Sequence, residues 1–319
     1  MSDIIAEYYA KQIKKGKRGG ANLPALARGD KDFMRTIQAD PGYCFISQDV
    51  IALEPTITAE LSGDTRYLYA TYHGIGKRPH YDHDGWLMID DIYLMSASRF
   101  PSTKDVLWQV FHRGKFSKVG KDWRVEIDGE GESFADLWVK DPDAVKDALK
   151  KPVRGFAKVA CLGIGYGMGA RKFRTTSEEA GTVIDHATAK GTINAYWDGY
   201  SGLKALRDTL SWTVKREGAI VNPFGYRCTP EDYKAMNAYI QSSASGVLDV
   251  YNLKLFSEAP WLRFVALIHD EVVYQCPIVR VDEAQAIAKR CEDSLNADLG
   301  WSCPIRFGFK VAETFAEIK

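Results

Sequence analysis

The stretch that decides the fold reads Leu267-Ile268-His269-Asp270-Glu271-Val272-Val273-Tyr274. Two runs of apolar and β-branched residues flank three polar ones, and this pattern predicts two strands joined by a tight turn. The turn would carry neighbouring carboxylates, which repel each other and lose solvation when a fold covers them. A divalent cation held at the turn would offset both effects. The alternative is a surface hairpin whose polar turn faces water, so the rest of the chain has to decide between the two.

The composition is that of an ordinary globular protein. The chain has 319 residues, of which 45% are hydrophobic and 26% charged, and its 42 basic side chains equal its 42 acidic ones in number. Overall charge therefore does not indicate a nucleic-acid partner, and any basic surface must be local. The six cysteines include no Cys-x-x-Cys pair, which favours reduced thiols in the cytoplasm over a zinc site. No apolar run approaches the ~18 residues that cross a bilayer, and the amino terminus shows no secretory signal.

A second acidic strand end is predicted near residue 49. Residues 42–51 form an apolar run suited to a buried strand, with Asp49 at or near its end. Pro55 suits a first helical turn, so a helix is expected from there until residues 62–64 stop it. Asp49 and Glu54 are therefore expected within one strand-to-helix connection.

A predicted helix carries two cations on one face. Arg154, Lys158, Leu162 and Tyr166 are four residues apart, so on a helix they form one stripe with steps of about 6 Å. Such a face fits an anionic tail, a sugar and a base in turn, because cations attract phosphates and a flat ring stacks on a base. The alternative is an amphipathic helix whose cations face solvent.

Helices account for most of the second half of the chain. They are predicted over residues 177–218, beginning at Ser177, and over residues 229–256, with Asn237 and Gln241 on one face. From the sequence alone, those two amide side chains could be exposed to solvent or could have a functional role. The last elements predicted are a helix over residues 281–299 and a strand over residues 304–311.

Three segments lie outside these elements. The amino terminus predicts a helix over residues 3–15 and a basic, glycine-rich strip over residues 14–20, which either touches phosphates or is a solvated connector. Residues 65–90 look like an insertion, and their His80-Tyr81-Asp82-His83-Asp84 could in principle ligate a metal, although such clusters are typical of polar loops. Residues 101–150, with three tryptophans, predict a compact insertion that could dock a partner.

Together these residues resemble DNA polymerase family A, the DNA polymerase I group. The resemblance covers most of residues 18–319. The matching motifs are Asp49 to Glu54 with Leu61-Ser62-Gly63-Asp64 (first palm motif), Asp91-Ile92-Tyr93 (the family's Asp-Ile-His), Arg154, Lys158 and Tyr166-Gly167 (fingers helix), Asn237 and Gln241 (template-side helix), and His269-Asp270-Glu271-Val272 (last palm motif).

The resemblance implies an α+β fold in which a polymerase palm, an antiparallel sheet with helices, is joined to helical fingers. It divides the chain into the amino-terminal part of the palm (1–100, with the insertion 65–90), the fingers (101–215, with the insertion 101–150) and the carboxy-terminal part of the palm (216–319). It also implies that thumb and exonuclease domains are absent. A phage-type minimal or split polymerase, whose other parts lie on a partner chain, would fit this description.

The resemblance further implies template-directed DNA synthesis, in which two Mg²⁺ ions assist transfer of a dNTP to a primer 3′-hydroxyl. Lys158 would also serve as acid to the pyrophosphate, and Glu54 would fill the space beneath the sugar 2′ position. The expected partners are primer-template DNA, dNTPs and a chain supplying thumb, exonuclease or processivity functions, in the host cytoplasm if the protein is viral. The implied roles are metal binding by Asp49, Asp270 and the carbonyl of Val50; nucleotide binding by Arg154, Lys158, Leu162, Tyr166 and Glu54; and primer or template contact by His269, Glu271, Asn237 and Gln241.

The sequence also departs from the family. Leu162 stands where the family has an aromatic residue, and the family's usual Gln, Leu and Arg are replaced by Ala52, Pro55 and Thr56. Two other functions stay open, a non-catalytic DNA-binding or assembly subunit with a palm fold and a single-subunit RNA polymerase-like enzyme. Retention of both aspartates and both cations weighs against the first of these, and Glu54 and Glu271 weigh against the second.

Overall fold

The structure, a computed structural model, describes residues 34–318, without the side chain of Pro152. The helix predicted over residues 3–15 and the basic strip over residues 14–20 lie outside the described residues. Among the helices between residues 34 and 318, none combines the length and the apolar character that a bilayer-spanning segment needs.

The described chain contains helices and short strands, with a run of helices between Phe134 and Glu217. The α-helices are α1 (Leu53–Ser62), α2 (Thr65–Leu68), α3 (Ile92–Ala97), α4 (Lys104–Arg113), α5 (Phe134–Lys140), α6 (Pro142–Ala148), α7 (Gly155–Gly165), α8 (Ala170–Glu179), α9 (His186–Gly199), α10 (Ser201–Glu217), α11 (Ala235–Glu258), α12 (Val281–Leu299) and α13 (Phe315–Ile318). The strands are β1 (Tyr43–Asp49), β2 (His80–Tyr81), β3 (Leu87–Met88), β4 (Gly114–Val119), β5 (Asp122–Ile127), β6 (Glu132–Ser133), β7 (Ile220–Val221), β8 (Arg227–Cys228), β9 (Arg263–Ile268), β10 (Glu271–Pro277) and β11 (Lys310–Ala312). Two π-helical turns cover Tyr69–His73 and Lys150–Arg154.

The chain forms two compact units. Within the described residues, the sheet unit consists of residues 34–51, Val250–Asp298 and residues 305–318, and the helical unit consists of Ala52–Asp249 and Leu299–Pro304. The palm and fingers boundaries given above stay predictions.

The sheet unit contains an antiparallel sheet with the strand order β11-β1-β10-β9. Both of its faces are covered, which explains why five consecutive residues of β1 are buried. On one face Phe45 packs with Ile268, Val273 and Phe315 in an apolar cluster. On the other face the buried Gln48 side chain donates a hydrogen bond to the Tyr251 hydroxyl at 2.7 Å. The alternating side chains of β1 therefore fix the strand in the middle of the unit.

One predicted helix start in the helical unit is wrong. Ser177 lies in the last turn of α8 rather than at the start of a helix, and its side chain is buried. A serine followed by two glutamates is typical of the first turn of a helix, but here the next helix begins later, after Asp185. The Asp185 side chain accepts a hydrogen bond from the Thr188 N–H at 2.6 Å and so caps α9.

The segment 101–150, which the sequence predicts to be an insertion, has an apolar cluster of its own. It contains α4, α5, α6 and a small sheet with the order β5-β4-β6. Phe134 lies parallel to Trp138 at 6.1 Å and meets Phe116 edge-on at 6.0 Å between ring centroids. Trp138 is thus part of the apolar cluster, whereas 51% of Trp108 is exposed on α4.

Candidate functional site

The predicted hairpin is confirmed, and it lies beside the end of β1. Ile268 pairs with Glu271, so His269 and Asp270 form a two-residue turn between β9 and β10. The Val50 N–H donates a hydrogen bond to the Asp270 carbonyl at 3.1 Å. Asp49 and Asp270, which are far apart in the sequence, are therefore neighbours across two adjacent strand ends.

Backbone hydrogen bonds from the carboxy-terminal segment fix the end of β1. The Ile51 N–H donates to the Arg306 carbonyl at 2.9 Å, and the Gly308 N–H donates to the Asp49 carbonyl at 2.8 Å. With the bond from Val50 to Asp270, the backbone around the first aspartate is held from both sides. The direction of the Asp49 side chain is therefore set by the sheet rather than by a loop.

The other two polar residues of the hairpin differ in exposure. Glu271 is 8% exposed, and the Ser47 hydroxyl donates a hydrogen bond to its Oε1 at 2.5 Å. His269 is exposed and has a left-handed backbone with φ 60, a conformation that costs energy for a residue other than glycine. Glu271 is thus engaged within the sheet, while His269 presents its ring to solvent at the turn.

The aspartate pair has the chemistry of a magnesium site that the substrate completes. The Asp49 side chain is exposed and Asp270 is half-buried, so both carboxylates can be reached from solvent. Between residues 34 and 318 no group of three or more His, Cys, Asp and Glu side chains could hold a metal ion by itself. Mg²⁺ commonly binds one or two carboxylates and takes its other ligands from water and substrate phosphates. The two residues therefore fit that ion.

In the helical unit, Arg154 is held by a buried carboxylate. Its Nε donates to Asp91 Oδ2 at 2.9 Å, and the side chains are 24% and 5% exposed. The guanidinium lies over the Tyr93 ring at 5.0 Å, and the Lys158 ammonium is 6.0 Å from the same ring. Burial, and next the nearby Cys161, raises the pKa of Tyr93 to about 12. The two cations thus share one neutral aromatic platform.

The cationic stripe is not one continuous α-helix. Arg154 ends a π-helical turn, Lys158 and Leu162 lie on α7, and Tyr166 is the residue after its last turn. A side chain at Gly155 would place its Cβ 2.5 Å from the Lys150 carbonyl oxygen, so this turn requires glycine. The four side chains nevertheless follow one another as the spacing predicted.

At the far end of the stripe, Tyr166 donates a short hydrogen bond to Glu54 Oε2. Burial and then this bond raise the pKa of Tyr166, while a hydrogen bond with Gln241 lowers it. Glu54, Leu162 and Tyr166 line a pocket of about 430 Å³, open mouth included, together with Tyr93. Three of the predicted nucleotide-binding residues therefore share one cavity.

Asn237 and Gln241, the two amides that the family resemblance places beside the template, lie on one helix, α11, as predicted. Gln241 reaches Tyr166 through the hydrogen bond just described. Asn237 Oδ1 is buried and has no hydrogen-bond partner within residues 34–318, a state that a donor from a ligand would relieve.

Sequence reasoning did not identify three supporting residues. Ser47 holds Glu271, Asp91 holds Arg154, and Tyr93 lies beneath both cations. The match of Asp91-Ile92-Tyr93 to a family motif was the one available signal, but it gave no contact partner. Residues 80–84, the segment that could in principle ligate a metal, have structural contacts. The Asp82 side chain accepts a hydrogen bond from the Trp86 N–H at 2.8 Å, and the Asp84 carboxylate forms an ion pair with Arg66 at 2.9 Å.

Comparisons with known proteins agree on one family. The sequence profile described as DNA polymerase family A matches residues 135–317, more than half of the chain. A DNA polymerase of Mycobacterium phage D29 is 27% identical over 294 residues, covering 89% of this chain and 38% of the phage protein. A thermostable DNA polymerase I of Thermus filiformis is 25% identical over 224 residues, covering 65% of this chain and 24% of the relative.

A solved structure shows the same fold. It is the POL domain of Pol1 from M. smegmatis in complex with DNA primer-template and dNTP, with a TM-score of 0.60 and 15% identity. The match covers 90% of this chain and 42% of that one. The α+β polymerase fold predicted from the sequence is confirmed, and the chain spans about two fifths or less of each relative it matches.

Proposed function

The chain belongs to DNA polymerase family A, and from this we propose that it is a template-directed DNA polymerase that adds dNTPs to a primer 3′-hydroxyl. The observation that carries the proposal is the hydrogen bond from Val50 to Asp270, which makes neighbours of two aspartates from opposite ends of the sequence. The M. smegmatis structure contains primer-template DNA and a dNTP, which supports these as partners. A partner chain and a cytoplasmic location stay predictions.

The roles proposed for the sheet unit follow from charge and position. Asp49 and Asp270, with the carbonyl of Val50, would hold magnesium, which when bound supplies charge neutralisation and lowers the pKa of the primer hydroxyl. Their carboxylates start from fixed strand ends, so little reorganisation is needed when the substrate arrives. His269 and Glu271 would support the primer end.

The roles proposed for the helical unit follow the order of the stripe. Arg154 and Lys158 would neutralise the triphosphate, and Lys158 would protonate the departing pyrophosphate. Leu162 would contact the nucleotide by apolar packing alone, since it has no ring to stack. Tyr166 would pack at the template side of the new base pair, with Asn237 and Gln241 beside the template.

Primer extension by the purified chain tests the proposal. We expect template-dependent addition of dNTPs in the presence of Mg²⁺ and no addition after chelation. A chain that binds primer-template but extends no primer, alone or with extract of its source, would instead support the non-catalytic subunit. Preference for ribonucleotides in direct competition would support the RNA polymerase-like enzyme.

Replacement of Glu54 tests the proposed exclusion of ribonucleotides. The Glu54→Ala variant opens the space beneath the sugar, so we expect the ratio of kcat/KM for dNTP over rNTP to fall by at least about tenfold, a change of ~1.4 kcal/mol in discrimination. Tyr166→Phe is the matched control, because it removes the hydroxyl that bonds Glu54 and Gln241 and leaves the Glu54 carboxylate in place. Equal discrimination in Glu54→Ala and the wild type would contradict the assignment.

Replacement of Asp91 tests whether the buried carboxylate positions Arg154. Asp91 Oδ1 also accepts the N–H groups of Tyr93 and Leu94 at 3.0 and 2.9 Å, and asparagine keeps this helix cap. Asp91→Asn therefore removes mainly the charge, and we expect the KM for dNTP to rise by about tenfold with little change in kcat. Steady-state kinetics would show the split between the two constants.

Tyr93 provides a matched pair of controls for the same effect. Tyr93→Phe keeps the ring face under both cations and should keep the wild-type KM. Tyr93→Leu removes the face, which is worth ~0.5–2 kcal/mol, and should raise the KM. Loss of kcat without a change in KM in either Asp91→Asn or Tyr93→Leu would show that these residues do not act through nucleotide binding.

A further inference from the structure

The insertion projects a hairpin of two six-residue strands, β4 and β5. A two-residue turn joins the strands, and its Gly120 has φ 66. The base of the hairpin is anchored by Phe116, which is 1% exposed and packs against Phe134. The strands would extend about 20 Å at ~3.3 Å per residue, so the far end of the hairpin lies beyond the apolar cluster.

The far end carries cations without ion-pair partners. Lys118, Lys121 and Arg124 are exposed, and none of them forms an ion pair in the part of the chain that the structure describes. Lys118 stands directly across from the half-buried Trp123. Asp122 is the one acid among residues 118–124, which leaves a formal charge of +2 (three cations less one carboxylate).

The base of the insertion has the opposite character. There the acids Asp128, Glu132 and Asp136 pair with Arg113, Lys140 and Arg78. Three ion pairs thus form within the protein at the base, whereas the three cations at the tip are left for another molecule. Val119 is 46% exposed, but a single apolar side chain offers too little area for docking a protein.

We propose that the hairpin tip, residues 118–124, binds the phosphate backbone of DNA. Unpaired cations gain affinity there because they release condensed counterions from the phosphates. A two-stranded ribbon also has the width that the major groove of a duplex admits. Trp123 adds a ring beside Lys118, and such a ring stacks on bases of a single strand. The proposal rests on the proposed function for bringing DNA to the chain, and it concerns a segment outside the residues assigned to synthesis.

The salt dependence of DNA binding tests the proposal. We compare the full chain with its Lys118→Gln, Lys121→Gln, Arg124→Gln triple variant by fluorescence anisotropy on a labelled duplex and a labelled single strand, without nucleotides. Each phosphate that the tip no longer neutralises reduces the slope of log K against log salt by ~0.9 for a duplex and ~0.7 for a single strand. With three cations removed, we expect a reduction of up to about 2.7 or 2.1 respectively, with the wild-type melting temperature retained.

Two control variants test whether a change in the salt slope depends on the position of the removed charges. The Lys77→Gln, Lys104→Gln, Lys190→Gln variant removes three exposed cations elsewhere in the same unit and should keep the wild-type slope, whereas Asp122→Asn should bind more tightly than the wild type. A reduced slope on the duplex alone would assign the tip to the primer-template duplex, and on the single strand alone to unpaired template. An unchanged slope on both in the triple variant would overturn the proposal.

The same measurements separate this proposal from the proposed function. If the wild-type chain extends primers and the triple variant binds DNA with the wild-type slope, the hairpin assignment fails and synthesis stands. If the slope depends on the tip but no primer is extended, the hairpin assignment stands and synthesis fails. The catalytically impaired Asp270→Ala variant should still show the effect of the triple replacement.

Discussion

Replacing Asp49 or Asp270 by alanine is expected to lower the rate of nucleotide addition by about a thousandfold or more. Each aspartate supplies a carboxylate to the proposed magnesium site, and metal-ion stabilisation of the reacting charges is worth several kcal/mol, with each ~1.4 kcal/mol equal to tenfold in rate. The measurement is single-turnover primer extension at saturating dNTP, where a defect in chemistry is not masked by product release. Affinity for primer-template DNA should be retained.

Asp40→Ala is the matched control for the aspartate variants. Asp40 belongs to the same unit and pairs with Arg263 at 2.9 Å on the surface, so its loss should leave the rate within a factor of about two. An Asp270→Ala variant that extends primers at the wild-type rate would contradict the magnesium assignment. A variant that has also lost its melting transition would be replaced by Asp270→Asn, which keeps the size of the side chain.

Replacing Lys158 by alanine is expected to lower kcat by about a hundredfold. Loss of one preorganised positive group at a site of developing negative charge typically has an effect of ~10²–10³. Lys158 is exposed on α7, and the nearest ring is that of Tyr93 at 6.0 Å, so the replacement leaves no cavity. The measurement is kcat and KM for a single dNTP, at fixed Mg²⁺ and DNA.

The Lys158→Arg variant distinguishes the two proposed roles of Lys158, which are charge neutralisation and proton transfer. Arginine keeps the positive charge but does not release its proton in proteins. We expect the KM of this variant to stay close to the wild-type value, while its kcat is at least about tenfold below that of the wild type. Full recovery of kcat in Lys158→Arg would show that the lysine acts by charge alone, and a wild-type kcat in Lys158→Ala would contradict both roles.

The parts of the fold that short-range patterns determine were predictable from the sequence. The hairpin around Asp270 followed from apolar runs on either side of a polar turn, and the helix over residues 281–299 was found with its observed bounds. Asp49 at the end of β1 followed from a single apolar run. In each case the signal lies within about ten residues, which is the range over which side-chain periodicity reports burial.

Interactions between distant segments were beyond such patterns. The ion pair of Arg154 with Asp91 joins residues 63 positions apart, and no local spacing indicates it. The π-helical turn before α7 depends on how closely the Gly155 backbone approaches the carbonyl of Lys150. The helix start predicted at Ser177 was wrong because a serine followed by two glutamates can lie at the beginning of a helix or, as here, in its last turn. Tertiary packing decides among such possibilities.

The hydrogen bonds that join Arg306 and Gly308 with the end of β1 have a consequence for biosynthesis. Both residues lie more than 250 positions after Asp49, so they leave the ribosome much later than it does. A nascent chain that has not yet reached them lacks two of the three backbone bonds that hold the first aspartate. Under the proposed function, a chain that stalls or terminates before residue 306 would therefore lack a firmly held magnesium ligand and would be silent rather than error-prone.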